Sequence, residues 1–425
     1  MKSRPFVVLM LFGILLEATF LILLAVYNWT TNIPVFLYLF FFSFLNFLII
    51  TWLALRKYFD AIPNLTILIL AGAVLFRITV FWCPPTLSED IYRYIHDGKA
   101  QIAGFSPYDY PPGAPELKSI RDENWEKINW KQFKTPYPPG AEDIFHLLTR
   151  ISFGVNSFKF GILCFDFLLL ECLRRLLIKE GRSPALLLIY AWHPLPIIEF
   201  SSSGHMDILG ISLLVFSLLW IAYQQNVAAG ITLATAAMTK YLPLFAVPWM
   251  IPKGRWKFLL AATITAGLFA LQFYTPDLRM LDGIHQYYSK WWFNDSMFSL
   301  LRHAFSSAEW ARRTGILCTV ALTLYCMYAR FPVYRSLLLI FGMVLVFSPV
   351  VHPWYVCWVI PFLVFHMNRA WLFFSGWICI SYLIRYLFPV GVWNEPDWLK
   401  LLVYVPFYAL LIFDFFTAKF STKAG

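Results

Sequence analysis

The chain reads as a succession of long apolar runs separated by short polar joints. About 20 apolar residues in a helix cross roughly 30 Å of hydrocarbon. That test picks out residues 5–27, 34–55, 65–82, 158–177, 184–200, 208–223, 258–274, 316–328, 336–347, 354–365, 371–388 and 399–415. A further run, 228–250, is interrupted by Lys240 and Pro243. Proline removes a backbone donor and an ammonium is costly against lipid, so this run predicts a helix entering from one side and a half-helix returning. The expected fold is an all-α polytopic membrane protein of roughly 12 to 14 transmembrane spans. It forms one domain over 1–425, with long loops at 83–157 and 275–295. The first run is too long for the apolar part of a signal peptide and no small-residue cleavage pattern follows it, so it is read as a retained span.

Composition closes other classes. Of 425 residues, 60% are hydrophobic and only 14% charged, which excludes a soluble globule, a disordered scaffold and a nucleic-acid-binding module. The net charge of +10 has a topological explanation, because Lys and Arg collect in cytoplasmic loops. Lys2 and Arg4, Arg56 and Lys57, the 174–182 cluster, Lys253, Arg255 and Lys257, Arg330 and Arg335, Arg369, and Lys419 and Lys423 alternate with loops poor in positive charge. Placing them in the cytoplasm sends 83–157 and 275–295 to the opposite face, with the turns around 201–207, 351–355 and 389–398. Six of seven cysteines lie in apolar stretches and no Cys-x-x-Cys occurs, so neither a disulfide framework nor a metal site is expected.

The first long loop carries the densest chemistry. Ser88 is a candidate N-cap, and Glu89 and Asp90 suit the positive end of a helix. Ile91, Ile95 and Ile102 recur at helical spacing, which predicts an amphipathic helix on the membrane surface. Asp90, Tyr94 and Asp97 share a face, with Arg93 and His96 beside them. Spacing alone is equally served by a solvated face with a local Asp90–Arg93–Asp97 ion network.

Further along come Gly104-Phe105-Ser106-Pro107-Tyr108, Tyr137-Pro138-Pro139-Gly140, Gly204-His205-Met206-Asp207, Lys240-Tyr241-Leu242-Pro243 and His352-Pro353-Trp354-Tyr355. In this order, after Glu89-Asp90, they resemble the GT-C glycosyltransferases. The nearest likeness is to the bacterial branch of polyprenyl-phosphomannose-dependent mannosyltransferases. His96 departs from that pattern, which has Trp there.

The resemblance implies a GT-C-like bundle and a hexose, mannose first, moved with inversion from a polyprenyl-phosphate donor. The acceptor would be a glycolipid or glycan hydroxyl on the non-cytoplasmic face, in a bacterial inner membrane facing the periplasm. It places the general base on the first-loop carboxylates, Asp90 foremost with Glu89 second. Lys240, Arg302 and Arg77 become candidate contacts to the donor phosphate. Arg93, Tyr94, Asp97, Tyr137, His205, Asp207, His352, Trp354 and Tyr355 become candidate substrate contacts. Besides donor and acceptor, membrane lipid is the expected partner; no cofactor, metal or nucleic acid is expected. Each assignment has a simpler counterpart. Lys240 snorkelling to headgroups explains its position as well, and His352-Pro353-Trp354-Tyr355 and Trp291-Trp292 also suit an interfacial aromatic belt. A lipid-linked-sugar transporter or flippase is the competing class, since intramembrane charges mark transport pathways too. No internal repeat of the kind transporters carry is visible, and the charges gather in one-sided loops.

Overall fold

A computed structural model describes residues 3–251, 256–388 and 395–421, with side chains over 4–416. Lys2, Lys253, Arg255 and Lys423, and most of the predicted turn at 389–398, lie outside the described residues; Lys419 lies outside the described side chains. The described chain is helical with no strand, and the protein is an all-α polytopic membrane protein. Four described stretches are long and apolar enough to cross a membrane unaided: Arg4–Val26, Thr30–Leu55, Arg369–Leu387 and Asp397–Phe416. Pro194–Ser202 with Asp207–Ala222 makes a fifth when counted as one broken span. Shorter apolar helices follow at Leu65–Phe81, Asn226–Thr239, Trp256–Leu271, Val333–Phe347 and Pro353–Leu363.

Several predicted spans are thus interrupted, and the interruptions have local causes. The run 184–200 holds three prolines. It is divided into a 3-10 turn Pro184–Leu187, the short helices Leu188–Ala191 and Pro194–Pro196, and a π-helix Ile197–Ser202. From Ala185 on, all but one of its residues up to Ser202 are buried, and irregular backbone at membrane depth is tolerated only inside protein.

The chain divides into two compact units. One comprises residues 1–72, 185–196 and 292–425; the other comprises 73–184 and 197–291. In the first unit the indole of Trp192 donates to the Ile69 carbonyl at 2.8 Å, and Phe36, Phe40, Phe44 and Phe47 form a ladder of rings along one helix. In the second, Val155–Lys179, Asp207–Ala222, Asn226–Thr239 and Trp256–Leu271 pack in sequence, and the first long loop folds onto them. Arg77 and Asp166 form a two-point ion pair there, with Nε to Oδ2 at 2.7 Å and neither side chain exposed. The ammonium of Lys159 caps the end of Leu65–Phe81 by donating to the carbonyls of Phe81 and Cys83. That anchor fixes where the loop leaves the bundle.

Candidate active site

The loop helix forms where the sequence places it, as Asp90–Ile102. Ser88 acts one residue before the cap position, its hydroxyl accepting from the Asp90 amide at 3.3 Å. Ile91 and Ile95 pack into protein while Ile102 is exposed. The helix lies against Pro139–Ile151, and Gly98 makes the approach possible: a Cβ there would stand 2.6 Å from the Phe145 carbonyl oxygen. A larger residue would lift the helix away.

The polar residues of the helix then separate by partner. Arg93 Nε donates to both Asp97 oxygens at 2.8 Å, and its Nη1 donates to the Phe133 carbonyl at 3.0 Å. Asp97 shares Thr135 with Glu142, to which the Thr135 hydroxyl donates at 2.6 Å. Burial, followed by the charge of Asp97, pushes the Glu142 carboxyl well above the usual carboxylate range. This buried cluster holds the Thr135–Tyr137 segment, because the Tyr137 amide also donates to Thr135. Glu89 turns to Asn129, at 3.5 Å.

Asp90 takes the other direction. Its Oδ2 lies 3.7 Å from His205 Nδ1, and it keeps 28% of its side chain exposed while His205 has none. His205 comes from the turn before Asp207–Ala222. Gly204, at φ +72°, lets that turn press against the first turn of the loop helix; a Cβ there would meet Ile91 Cδ1 at 2.6 Å. The Gly-His pair of the motif therefore has a steric reason. On the far side of the imidazole, Nε2 lies 3.4 Å from Glu199 Oε2. Glu199 is a residue the sequence reading missed.

Tyr94 and Tyr137 border the same place. Their rings meet edge to face at 5.3 Å, and Tyr94 stacks on Phe145 at 4.7 Å. Burial raises the Tyr94 phenol well above its usual value, and Tyr137, Asp90 and Asp207 add to the rise. Burial and the charge of Asp90 do the same to Tyr137. Both phenols therefore stay protonated and are donors. Asp207 begins its helix and pairs with Lys240. Lys240 follows the last turn of Asn226–Thr239 in extended conformation, and a 3-10 turn Leu242–Ala246 follows, so the chain breaks where the sequence predicts.

Second-unit geometry thus brings together Asp90, Tyr94, Tyr137, His205, Asp207 and Lys240. It places Arg93 and Asp97 in a supporting pair beside them, and it commits Arg77 to Asp166. Glu89 lies in this unit too but faces Asn129, and Arg302, His352, Trp354 and Tyr355 belong to the first unit. There His352 is stacked between Phe293 at 4.8 Å and Trp354 at 4.2 Å, with Tyr355 edge-on. Arg302 lies over the Trp292 ring at 5.1 Å. Among the described residues, no three His, Cys, Asp or Glu side chains converge as ligands for an ion.

This arrangement offers an accessible carboxylate beside a buried imidazole, two phenol donors and an ammonium. Such a set accepts a proton from a hydroxyl and stabilises a departing anion. Residues 8–253 match a protein family described as alpha-(1->6)-mannopyranosyltransferase, N-terminal domain (MptA_B family). The matched stretch contains Asp90, Tyr94, Tyr137, His205, Asp207 and Lys240. No curated protein matches the chain.

Proposed function

The chain belongs to this mannosyltransferase family, matched over more than half its length, and on that premise we propose that it moves mannose from a polyprenyl-phosphate donor to a hydroxyl of a glycolipid or glycan. Membership makes it a glycosyltransferase of the GT-C type. The observation that carries the finer reading is Asp90, a carboxylate left accessible at the head of a buried polar network.

The proposed reaction is a single displacement. The acceptor oxygen attacks the anomeric carbon as its proton passes to Asp90. The bond from that carbon to the phosphate oxygen breaks, and polyprenyl phosphate leaves with one more negative charge than it had as a diester. Lys240 meets that growing charge. Its pair with Asp207 fixes where the ammonium stands. Tyr94 orients the Tyr137 phenol, which donates to a sugar hydroxyl. The Arg93–Asp97 pair holds the loop helix in register. One displacement inverts the anomeric centre, so an alpha-(1->6) product requires a beta-linked donor. We place this chemistry on the non-cytoplasmic face of a bacterial inner membrane, without a divalent cation.

Purified protein supplied with a labelled beta-linked polyprenyl-phosphate mannose and a mannoside acceptor tests the proposal. The expected product is alpha-(1->6)-linked, read by NMR of the anomeric proton. A beta-linked product, or label moved across a bilayer without transfer, contradicts it.

A further inference from the structure

Glu199 stands outside every motif the sequence displays, yet it is fully buried behind the imidazole that faces Asp90. Its place is built and not incidental. It rides on the single π-helical turn Ile197–Ser202, a conformation that concentrates at functional sites. The His205 amide donates to the Glu199 carbonyl at 3.0 Å, and the Ser203 amide donates to Ile198 at 3.1 Å. These main-chain bonds fold the segment back so that carboxylate and imidazole of neighbouring turns face each other. A buried charge of this kind is expensive unless paired. One counterpart is the His205 ring, whose other nitrogen looks at the proposed base.

We infer that Glu199 is a positioning residue for the transfer reaction: with His205 it holds one shared proton, so that His205 Nδ1 always presents an N–H to Asp90. The inference rests on the reading of Asp90 as base. The shared proton has two resting places. Either a Glu199 carboxyl donates to Nε2 of a neutral ring, or a Glu199 carboxylate accepts from an imidazolium. Both contain the same atoms, and both leave Nδ1–H directed at Asp90. At 3.7 Å the contact is electrostatic and not a closed hydrogen bond, and an N–H aimed at a carboxylate favours its ionised form. Asp90 is thereby kept charged and turned toward the acceptor hydroxyl, whose proton it takes as the new glycosidic bond forms. Without Glu199, a neutral ring is free to present its Nδ1 lone pair to Asp90 instead, and lone pair faces carboxylate.

Other ionisable groups stand near the triad. Tyr94 and Tyr137 approach Asp90 from the loop side. Asp207 is paired with Lys240. Lys159 passes beside Gly204 with its ammonium on the carbonyls of Phe81 and Cys83, and Asp166 on the same helix is paired with Arg77.

The test measures kcat and the donor KM from pH 5 to 8 for wild type, Glu199→Leu, Glu199→Gln and Asp90→Asn. Glu199→Leu is expected to lower kcat by roughly tenfold or more, a fraction of what a general base contributes. Its donor KM stays within about twofold of wild type, since the residue touches no substrate. The acid limb of its kcat profile moves to higher pH. Glu199→Gln turns an amide N–H toward Nε2, fixes the same tautomer and recovers most of the rate. His205→Phe carries the same expectation as Glu199→Leu and replaces it if that variant does not fold. An unchanged acid limb in Glu199→Leu, or equal impairment of Leu and Gln through a raised donor KM, overturns the inference. The two claims fail separately. An inactive Asp90→Asn beside a wild-type Glu199→Leu removes only the role of Glu199, whereas an active Asp90→Asn removes the base itself.

Discussion

Two cation–carboxylate pairs of the same unit look alike in sequence and differ in structure. Arg77–Asp166 and Lys240–Asp207 each set a basic residue from an apolar run against an aspartate from another. The first pair is wholly enclosed, bonded at two points, and has its carboxylate in the middle of the 25-residue helix Val155–Lys179. The second leaves 27% of the lysine side chain exposed and has its carboxylate at a helix start, where the helix dipole favours negative charge. An enclosed pair has no capacity left for a ligand. A pair whose ammonium reaches the surface can be approached by one. Exposure and the partner's position on its helix therefore separate scaffold from site.

The largest effect is expected at the enclosed pair. Arg77→Met strands Asp166 in the interior, which costs about 3–5 kcal/mol. We expect much less folded protein and a markedly lower midpoint in thermal unfolding of the detergent-solubilised enzyme. Lys240→Met should lose less, because the Asp207 carboxylate, though buried, keeps its helix terminus. Equal losses in the two variants would erase the contrast.

Next in size is the effect of Lys240→Met on catalysis. A charge-assisted hydrogen bond contributes about 1.5–3 kcal/mol, so donor binding, turnover or both should fall by roughly tenfold to a hundredfold. Lys240→Arg should restore part of this, since a guanidinium keeps the charge but not the shape. Wild-type donor titrations with Lys240→Met would return this lysine to the role of a headgroup anchor.

A smaller effect concerns acid. His96 is buried, neither ring nitrogen has a hydrogen-bond partner among the described residues, and burial with Arg93 and Lys99 lowers its pKa to about 3. The unfolded chain, with a histidine near 6.5, therefore binds more protons between about pH 3 and 6.5. Stability falls as pH drops through that window. His96→Leu should flatten this slope, measured as the unfolding midpoint between pH 6.5 and 4.5. The least effect is expected from chelation: EDTA should leave turnover unchanged, and activity lost in EDTA and restored by Mg²⁺ or Mn²⁺ would recast Asp90 and Asp207 as ligands.

Much of this was legible in the chain because the physics was local. The helix beginning near Ser88 and the break at Lys240–Pro243 follow from cap and proline chemistry within a few residues. The pairing of Asp166 follows from the expense of a carboxylate inside an apolar run. Glu199 was hidden for a related reason. Flanked by Ile197, Ile198 and Phe200, it reads as part of a span, and only the π turn and the distant Asp90 give it meaning. The enclosure of Arg77 against Asp166 was not visible either, since exposure belongs to the packed structure. The predicted span at 184–200 failed as a continuous helix because three prolines act together there inside protein. Neither Gly98 nor Gly204 announces the close contact it permits.

The central claim is that Asp90 takes the proton of the acceptor hydroxyl. Asp90→Asn preserves volume and the contacts around His205 while removing the base, so the decisive measurement is the single-turnover rate of mannosyl transfer by the folded variant. A base of this kind contributes about 10²–10⁴-fold. A fall of at least about a hundredfold at unchanged donor affinity is expected. A rate within a few-fold of wild type would contradict it and move the search to Glu89.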